Sequence, residues 1–113
     1  MKKIEAFIKE DRIEPVANAL RGIDGLSGVT VIHAEGFGRR EAANEREPSP
    51  EMIHDFRGVG RLETFCSDEL VEKVVETLRE AAHTGLRHDG KIFVLPVDDA
   101  IRVASGKRGP DIL

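Results

Sequence analysis

Two short glycine turns are the places in this 113-residue chain where residue type and spacing could do chemistry. Gly36-Phe37-Gly38-Arg39 and His88-Asp89-Gly90-Lys91 each stand beside a stretch that reads as a strand. Glycine lets the backbone approach a ligand closely, successive N–H groups can converge on an anion, and Arg39 and Lys91 add cations. The chemistry this pattern fits is phosphate binding. Catalytic motifs are missing: there is no nucleophile elbow, no HExxH and no extended P-loop, and Asp89 beside His88 is only a neighbour pair along the chain. The expectation is a binding protein and not an enzyme.

Those turns need a scaffold, and the chain repeats one. A shift of 58 positions lays Ile4-Glu5-Ala6-Phe7 onto Leu62-Glu63-Thr64-Phe65, and Ile13, Glu14, Val16, Ala17, Leu20 and Arg21 onto Val71, Glu72, Val74, Val75, Leu78 and Arg79. Each half carries a strand and a helix at the same spacing, which points to an α+β, ferredoxin-like βαββαβ sandwich. Residues 2–9 alternate Ile4, Ala6 and Ile8 against Lys3, Glu5 and Lys9, the pattern of a half-buried strand with Phe7 as the exception. A helix follows, with Pro15 in its first turn and Gly22 and Gly25 at its end. Residues 28–38 and 59–66 read as the second and third strands. Ser67 is placed to cap the second helix, Leu70, Val71, Val74, Val75 and Leu78 form its apolar stripe, and Gly85 is expected to stop it. Ile92-Phe93-Val94-Leu95 reads as a central strand buried on both faces.

Between the second and third strands lie 19 residues, 39–57, with five acids, four bases, Pro48 and Pro50. A hairpin loop normally takes two to five residues, so this long polar insertion is expected to be mobile and to carry function. The remaining composition excludes other classes. Apolar runs are too short to span a bilayer, and Met1-Lys2-Lys3-Ile4-Glu5 runs into charge without a signal core, so a cytoplasmic protein without membrane insertion is expected. A net charge of -4 with no basic stripe and no Trp or Tyr argues against nucleic acid as a partner. One cysteine, Cys66, excludes an internal disulfide and reads as a small buried strand residue; the four histidines show no metal-ligand spacing, so no metal site is expected.

Taken with the opening Met1-Lys2-Lys3-Ile4-Glu5-Ala6, the segment Gly28-Val29-Thr30-Val31 and Asp89-Gly90-Lys91-Ile92-Phe93-Val94, the turns make the chain resemble the PII nitrogen-regulatory family. With one extra residue allowed near Asp24, the spacing agrees over nearly the whole chain, including the loop exit at Asp55-Phe56. The resemblance implies one domain over 1–113 that forms a homotrimer, binds ATP or ADP in clefts between subunits, and regulates a target enzyme, transporter or regulator through a T-loop at about 39–57. By the same resemblance Gly36, Phe37, Gly38 and Arg39 form one wall of the cleft, His88, Asp89, Gly90, Lys91 and Arg102 form the other, and Phe7, Thr30 and Phe65 line the adenine and ribose pocket. The related CutA-type trimers, linked to metal tolerance, share the fold and give the alternative reading, a metal-responsive trimer.

Departures from the family pattern shape what this member should do. Met52 replaces the modified loop tyrosine, leaving Ser49 as the nearest hydroxyl. Arg40 replaces a glutamine that helps hold magnesium and 2-oxoglutarate, and Val59 replaces the lysine that pairs with the 2-oxoglutarate carboxylate, so weak or absent 2-oxoglutarate and magnesium binding is expected, with Arg40 or Arg61 open to another anion. Ala104 stands for a phosphate-binding arginine and His88 for a glycine. Lys107 and Arg108 are the tail cations able to compensate, and AMP joins ATP and ADP as a candidate ligand.

Overall fold

The computed structural model describes residues 1–37 and 56–113. Four strands, β1 (Lys2–Lys9), β2 (Thr30–Gly36), β3 (Arg57–Cys66) and β4 (Gly90–Pro96), form one antiparallel sheet in the order β2-β3-β1-β4. Helices α1 (Ile13–Arg21) and α2 (Val71–Ala82) follow β1 and β3, each entered through a short 3-10 turn. This is the ferredoxin-like α+β arrangement expected from the repeat.

Its core explains why the halves match. Ile4 and Leu62, Val16 and Val74, and Leu20 and Leu78 are the repeat-related pairs, and all six are buried to within 1% exposure. Period two puts Ile4, Ala6 and Ile8 of β1 on the helical face, where they meet Val16, Leu20, Val74 and Leu78 in one cluster. Cys66 is buried there as expected, and desolvation pushes its thiol pKa up. Thr64, the buried polar residue of that face, donates its hydroxyl to the Gly28 carbonyl at 2.6 Å. Arg12 clamps the two helices from outside, donating from Nε and Nη2 to the Ala81 carbonyl at 3.1 and 2.6 Å.

Several expectations are corrected. β4 is an edge strand, not a central one, with Phe93, Val94 and Leu95 each 40% or more exposed. A run of four apolar residues signals two faces without water, but here β4 pairs only with β1, and of the four only Ile92 packs against the core within one chain. β2 starts at Thr30, and β3 begins two residues early at Arg57. Ser67 makes no side-chain cap; its carbonyl accepts from Leu70 N–H at 3.1 Å, and the adjacent Asp68 instead takes the Met1 amine at 3.0 Å. α2 ends at Ala82, because His83 is already extended, so Gly85 serves the following turn and not the helix. Among the described residues no helix is long and apolar enough to cross a membrane.

Candidate functional site

The register decides which predicted site residues share a surface. Lys3, Glu5, Phe7 and Lys9 of β1 lie on the face away from the helices, opposite Phe65, Glu63, Arg61 and Val59 of β3 and, from Lys3 to Phe7, opposite Leu95, Phe93 and Lys91 of β4. Thr30, Ile32 and Ala34 extend this open face on β2. Phe7, Thr30 and Phe65 are therefore all on one surface. They are not adjacent: Phe7 is opposite Arg61, four residues along β3 from Phe65, or roughly 13 Å at the rise of a strand. Phe7 packs edge-on against Phe93, ring centroids 6.1 Å apart, while Thr30 stands opposite Glu63 beside the Phe65 end.

Between these groups lies a charge network that the sequence reading missed. Lys3 Nζ sits 2.9 Å from Glu5 and 3.1 Å from Glu63, and Arg61 Nε sits 3.2 Å from Glu5 while its Nη2 bonds Glu63. The Lys3 ammonium holds the Glu63 carboxyl below its ordinary range, and Glu5, then Glu63, holds the Lys3 ammonium above its own. Arg61, considered above as a free anion partner, is thus engaged by two carboxylates. The register sets Glu5 directly opposite Glu63, and Lys3 and Arg61 lie one diagonal step from these acids, so the pairing depends on a strand alignment that the sequence alone does not display.

The turn from Thr84 to Gly90 is built around Asp89. Its carboxylate accepts from the Thr84 N–H at 2.9 Å, the Thr84 hydroxyl and the Gly85 N–H at 3.3 Å. Lys9 Nζ and His83 Nδ1 each approach it at 3.3 Å. Thr84's hydroxyl, its N–H and Lys9 hold the Asp89 carboxyl far below the usual carboxylate range. Asp89 therefore shapes the turn with its side chain directed inward. Lys9 and Thr84 were not foreseen as its partners. Gly90, at φ 116°, brings the turn onto β1 so closely that a Cβ there would lie 1.9 Å from the Phe7 carbonyl oxygen. Lys91 and His88 remain exposed, and a cleft of about 390 Å³ beside the turn is lined by Arg79, His83, Asp89 and Lys91 over an apolar floor of Val75 and Ile92.

At the same end of the sheet, Gly36 pairs with Arg57, and Phe37 meets Phe56 edge-on at 5.3 Å. Gly38, Arg39 and Arg40, with the loop to Asp55, lie outside the described residues. A depression of about 480 Å³ beside this end is lined by Glu10, His33 and Glu35, whose acids suit no phosphate.

The tail cations stand elsewhere. β4 leaves the sheet at Pro96, opposite Lys2, at the end remote from Gly36 and Gly90. Residues 99–113 fold on themselves: Ile101 bridges Arg108, Arg102 Nη2 donates to the Ile112 carbonyl at 2.7 Å, and Arg108 Nε lies 3.3 Å from Asp99. One chain therefore does not bring Arg102, Lys107 and Arg108 to the turn at 84–90. For the metal alternative, no three His, Cys, Asp or Glu residues gather into a metal site among the described residues.

Comparison with known proteins agrees with this geometry. The family model described as "Nitrogen regulatory protein P-II" matches residues 1–107. The nitrogen regulatory protein P-II of Azospirillum brasilense is 42% identical over 113 residues, all of both chains, and that of Rhodospirillum rubrum is 43% identical over the same span. Among solved structures, Arabidopsis thaliana PII bound to citrate superposes with a TM-score of 0.78 at 38% identity, covering 97% of this chain and 89% of that one.

Proposed function

The chain belongs to the PII nitrogen regulatory family, and from that premise we propose that it is a cytoplasmic signal transducer, one domain over residues 1–113, which binds ATP or ADP between the subunits of a homotrimer. It regulates a target enzyme, transporter or regulator in nitrogen metabolism and is not itself an enzyme. The observation that carries this reading is the separation of the two cationic groups. Lys91 and the Asp89-built turn lie at one end of the sheet, Arg102, Lys107 and Arg108 beyond the other, and a polyphosphate needs several cations at once. A neighbouring copy supplies the missing half. The exposed Phe65, Phe93 and Leu95 on the open face give the copies an apolar surface to share.

Target recognition falls to residues 40–57, whose Glu41, Glu45, Glu47 and Glu51 offer charge and whose Met52 and Ile53 offer apolar anchors. 2-Oxoglutarate binds weakly or not at all, with or without magnesium. Val59 sits on the open face between Ala34 and Lys9 and gives a carboxylate no partner.

Calorimetric titration with ATP, ADP, AMP and 2-oxoglutarate, alongside light scattering, tests the reading. A mass three times that of the chain and saturable binding of ATP or ADP are expected. Arg102→Ala should weaken binding roughly 10- to 100-fold, the worth of a charged hydrogen bond, while Arg21→Ala on α1 leaves it unchanged. A monomer, or equal affinities in the two variants, would overturn the assignment.

A further inference from the structure

We infer that the closing turn at Pro110–Ile112 is the positioning element for Arg102, holding its guanidinium in one orientation so that it meets a nucleotide phosphate as a preformed fork. The inference rests on the nucleotide reading above and gives a role to tail residues that reading leaves unused. Arg102 is exposed, and an exposed arginine ordinarily spreads over many rotamers. Here both of its ends are tied. Its N–H donates to the Lys107 carbonyl at 2.9 Å and its carbonyl accepts from the Gly106 N–H at 2.8 Å, which fixes the backbone. Its Nη2 donates to the Ile112 carbonyl at 2.7 Å, which fixes the head.

The sequence encodes the chain reversal that makes this contact. Gly109 stands at φ 94° and ψ -172°, a backbone region that glycine alone enters readily, and Pro110 then pre-sets φ for the first residue of a 3-10 turn. The Gly109 N–H is held by the Ala100 carbonyl at 3.0 Å, and the turn closes through Ile112 N–H to the Gly109 carbonyl at 3.3 Å and Leu113 N–H to the Pro110 carbonyl at 3.2 Å. The Ile112 carbonyl is thus carried by a bonded turn, with Ile112 and Leu113 half-buried, and not by a loose end. One carbonyl takes one of the five guanidinium donors, so a planar edge stays open for two phosphate oxygens. The contact therefore orients Arg102 without consuming it.

A double-mutant cycle read by calorimetric titration of ADP tests this. Two changes undo the turn: deletion of residues 110–113, and Gly109→Ala, which strains the backbone at φ 94° while keeping the Asp111 charge. Each is made with Arg102 present and again with Arg102→Lys, whose ammonium keeps the charge and a measurable affinity but has no planar fork to orient. With Arg102 present, each change should weaken ADP binding roughly 2- to 10-fold, the cost of ordering one long side chain on binding. With Arg102→Lys the loss should vanish. Melting temperature and the mass by light scattering should stay those of the wild type, because among the described residues none of 97–113 belongs to the core cluster. Equal losses in both backgrounds, or a changed mass, would overturn the proposal, since the turn would then act on the ligand or the assembly without Arg102. Unchanged or tighter binding on loss of the turn would overturn it as well, and all of these outcomes leave the nucleotide reading intact. A wild type that binds no adenine nucleotide would overturn both.

Discussion

Replacing Gly90 by alanine should be among the most damaging single-methyl changes available to this fold. Two costs act together. At φ 116° the residue lies outside the small left-handed region open to side chains, where even a well-placed L-residue loses about 1–2 kcal/mol. The new Cβ would also stand 1.9 Å from the Phe7 carbonyl oxygen and 3.1 Å from the Ile8 Cα, both backbone atoms that no rotamer change can move. Relief requires prising β4 from β1 at the Ile8–Gly90 pair, and overpacking of this kind costs about 1–3 kcal/mol more. The reduced entropy of the unfolded chain returns only about 0.4–1 kcal/mol. A net loss of about 2–4 kcal/mol is a large share of the roughly 5–15 kcal/mol that holds a domain together. It should lower the melting temperature by roughly 8–16 °C.

Gly85→Ala is the matched control, because Gly85 has φ 77° but no atom within 4 Å of the added Cβ. It should lose the backbone cost alone, less the same gain from the unfolded chain, a net of about 0.5–1.5 kcal/mol or roughly 2–6 °C. Thermal unfolding followed by circular dichroism, at equal protein concentrations, measures both. Equal melting points for the two variants would refute the close approach of the turn to β1. In the proposed function Gly90→Ala should also weaken ADP binding, because Lys91 follows it directly.

Two further outcomes follow from the charges. Asp89 has its pKa depressed in the folded state, so its contribution to stability is full above the unfolded carboxylate value of about 3.9 and is lost as pH falls below it. Asp89→Asn should therefore melt lower than wild type at neutral pH, with the gap closing below about pH 4; a gap independent of pH would show that the charge is not what Thr84 and Lys9 recognise. Arg61→Glu would place a third acid between Glu5 and Glu63, and the double change Arg61→Glu with Glu63→Arg should recover part of the lost melting temperature; no recovery would mean that the network contributes no pairing specificity.

How much of this was legible in the sequence depends on the range of the interaction. Ile4, Val16 and Leu20 and their repeat partners announce themselves by periodicity, because strand and helix spacing are local properties. β4 was misplaced because Ile92 to Leu95 advertise apolar character without saying which strand lies beside them. Ser67 makes no side-chain cap, and the polar contact that is made at this helix entry, the Met1 amine on the neighbouring Asp68, joins residues 67 apart and has no local signature. Lys9 reaches Thr84 across 75 residues of sequence, so the support of the 84–90 turn could not be read from the turn itself. Gly90 and Lys91 were recognisable by type, whereas the remoteness of Arg102 from them needed the direction of β4.

That remoteness joins the fold to the proposed assembly through the open face. Covering a sheet with another copy removes water from whatever it bears, and unpaired charges there would oppose the contact by several kcal/mol each. Lys3 and Arg61 are balanced within the chain by Glu5 and Glu63, two cations against two anions, with all four side chains at or below 33% exposed. Their mutual pairing meets much of the desolvation cost before a second copy arrives. A partner then has to supply apolar contact for Phe65, Phe93 and Leu95, not counter-charges. Among the described residues, Lys91 at one end of the sheet and Lys107 beyond the other have no such carboxylate partner, and a polyphosphate bound between copies would neutralise them. Ligand and assembly would in that case stabilise each other: a nucleotide at 100 times its Kd would add about 2.7 kcal/mol per site to the assembled form and nothing to the separated chains.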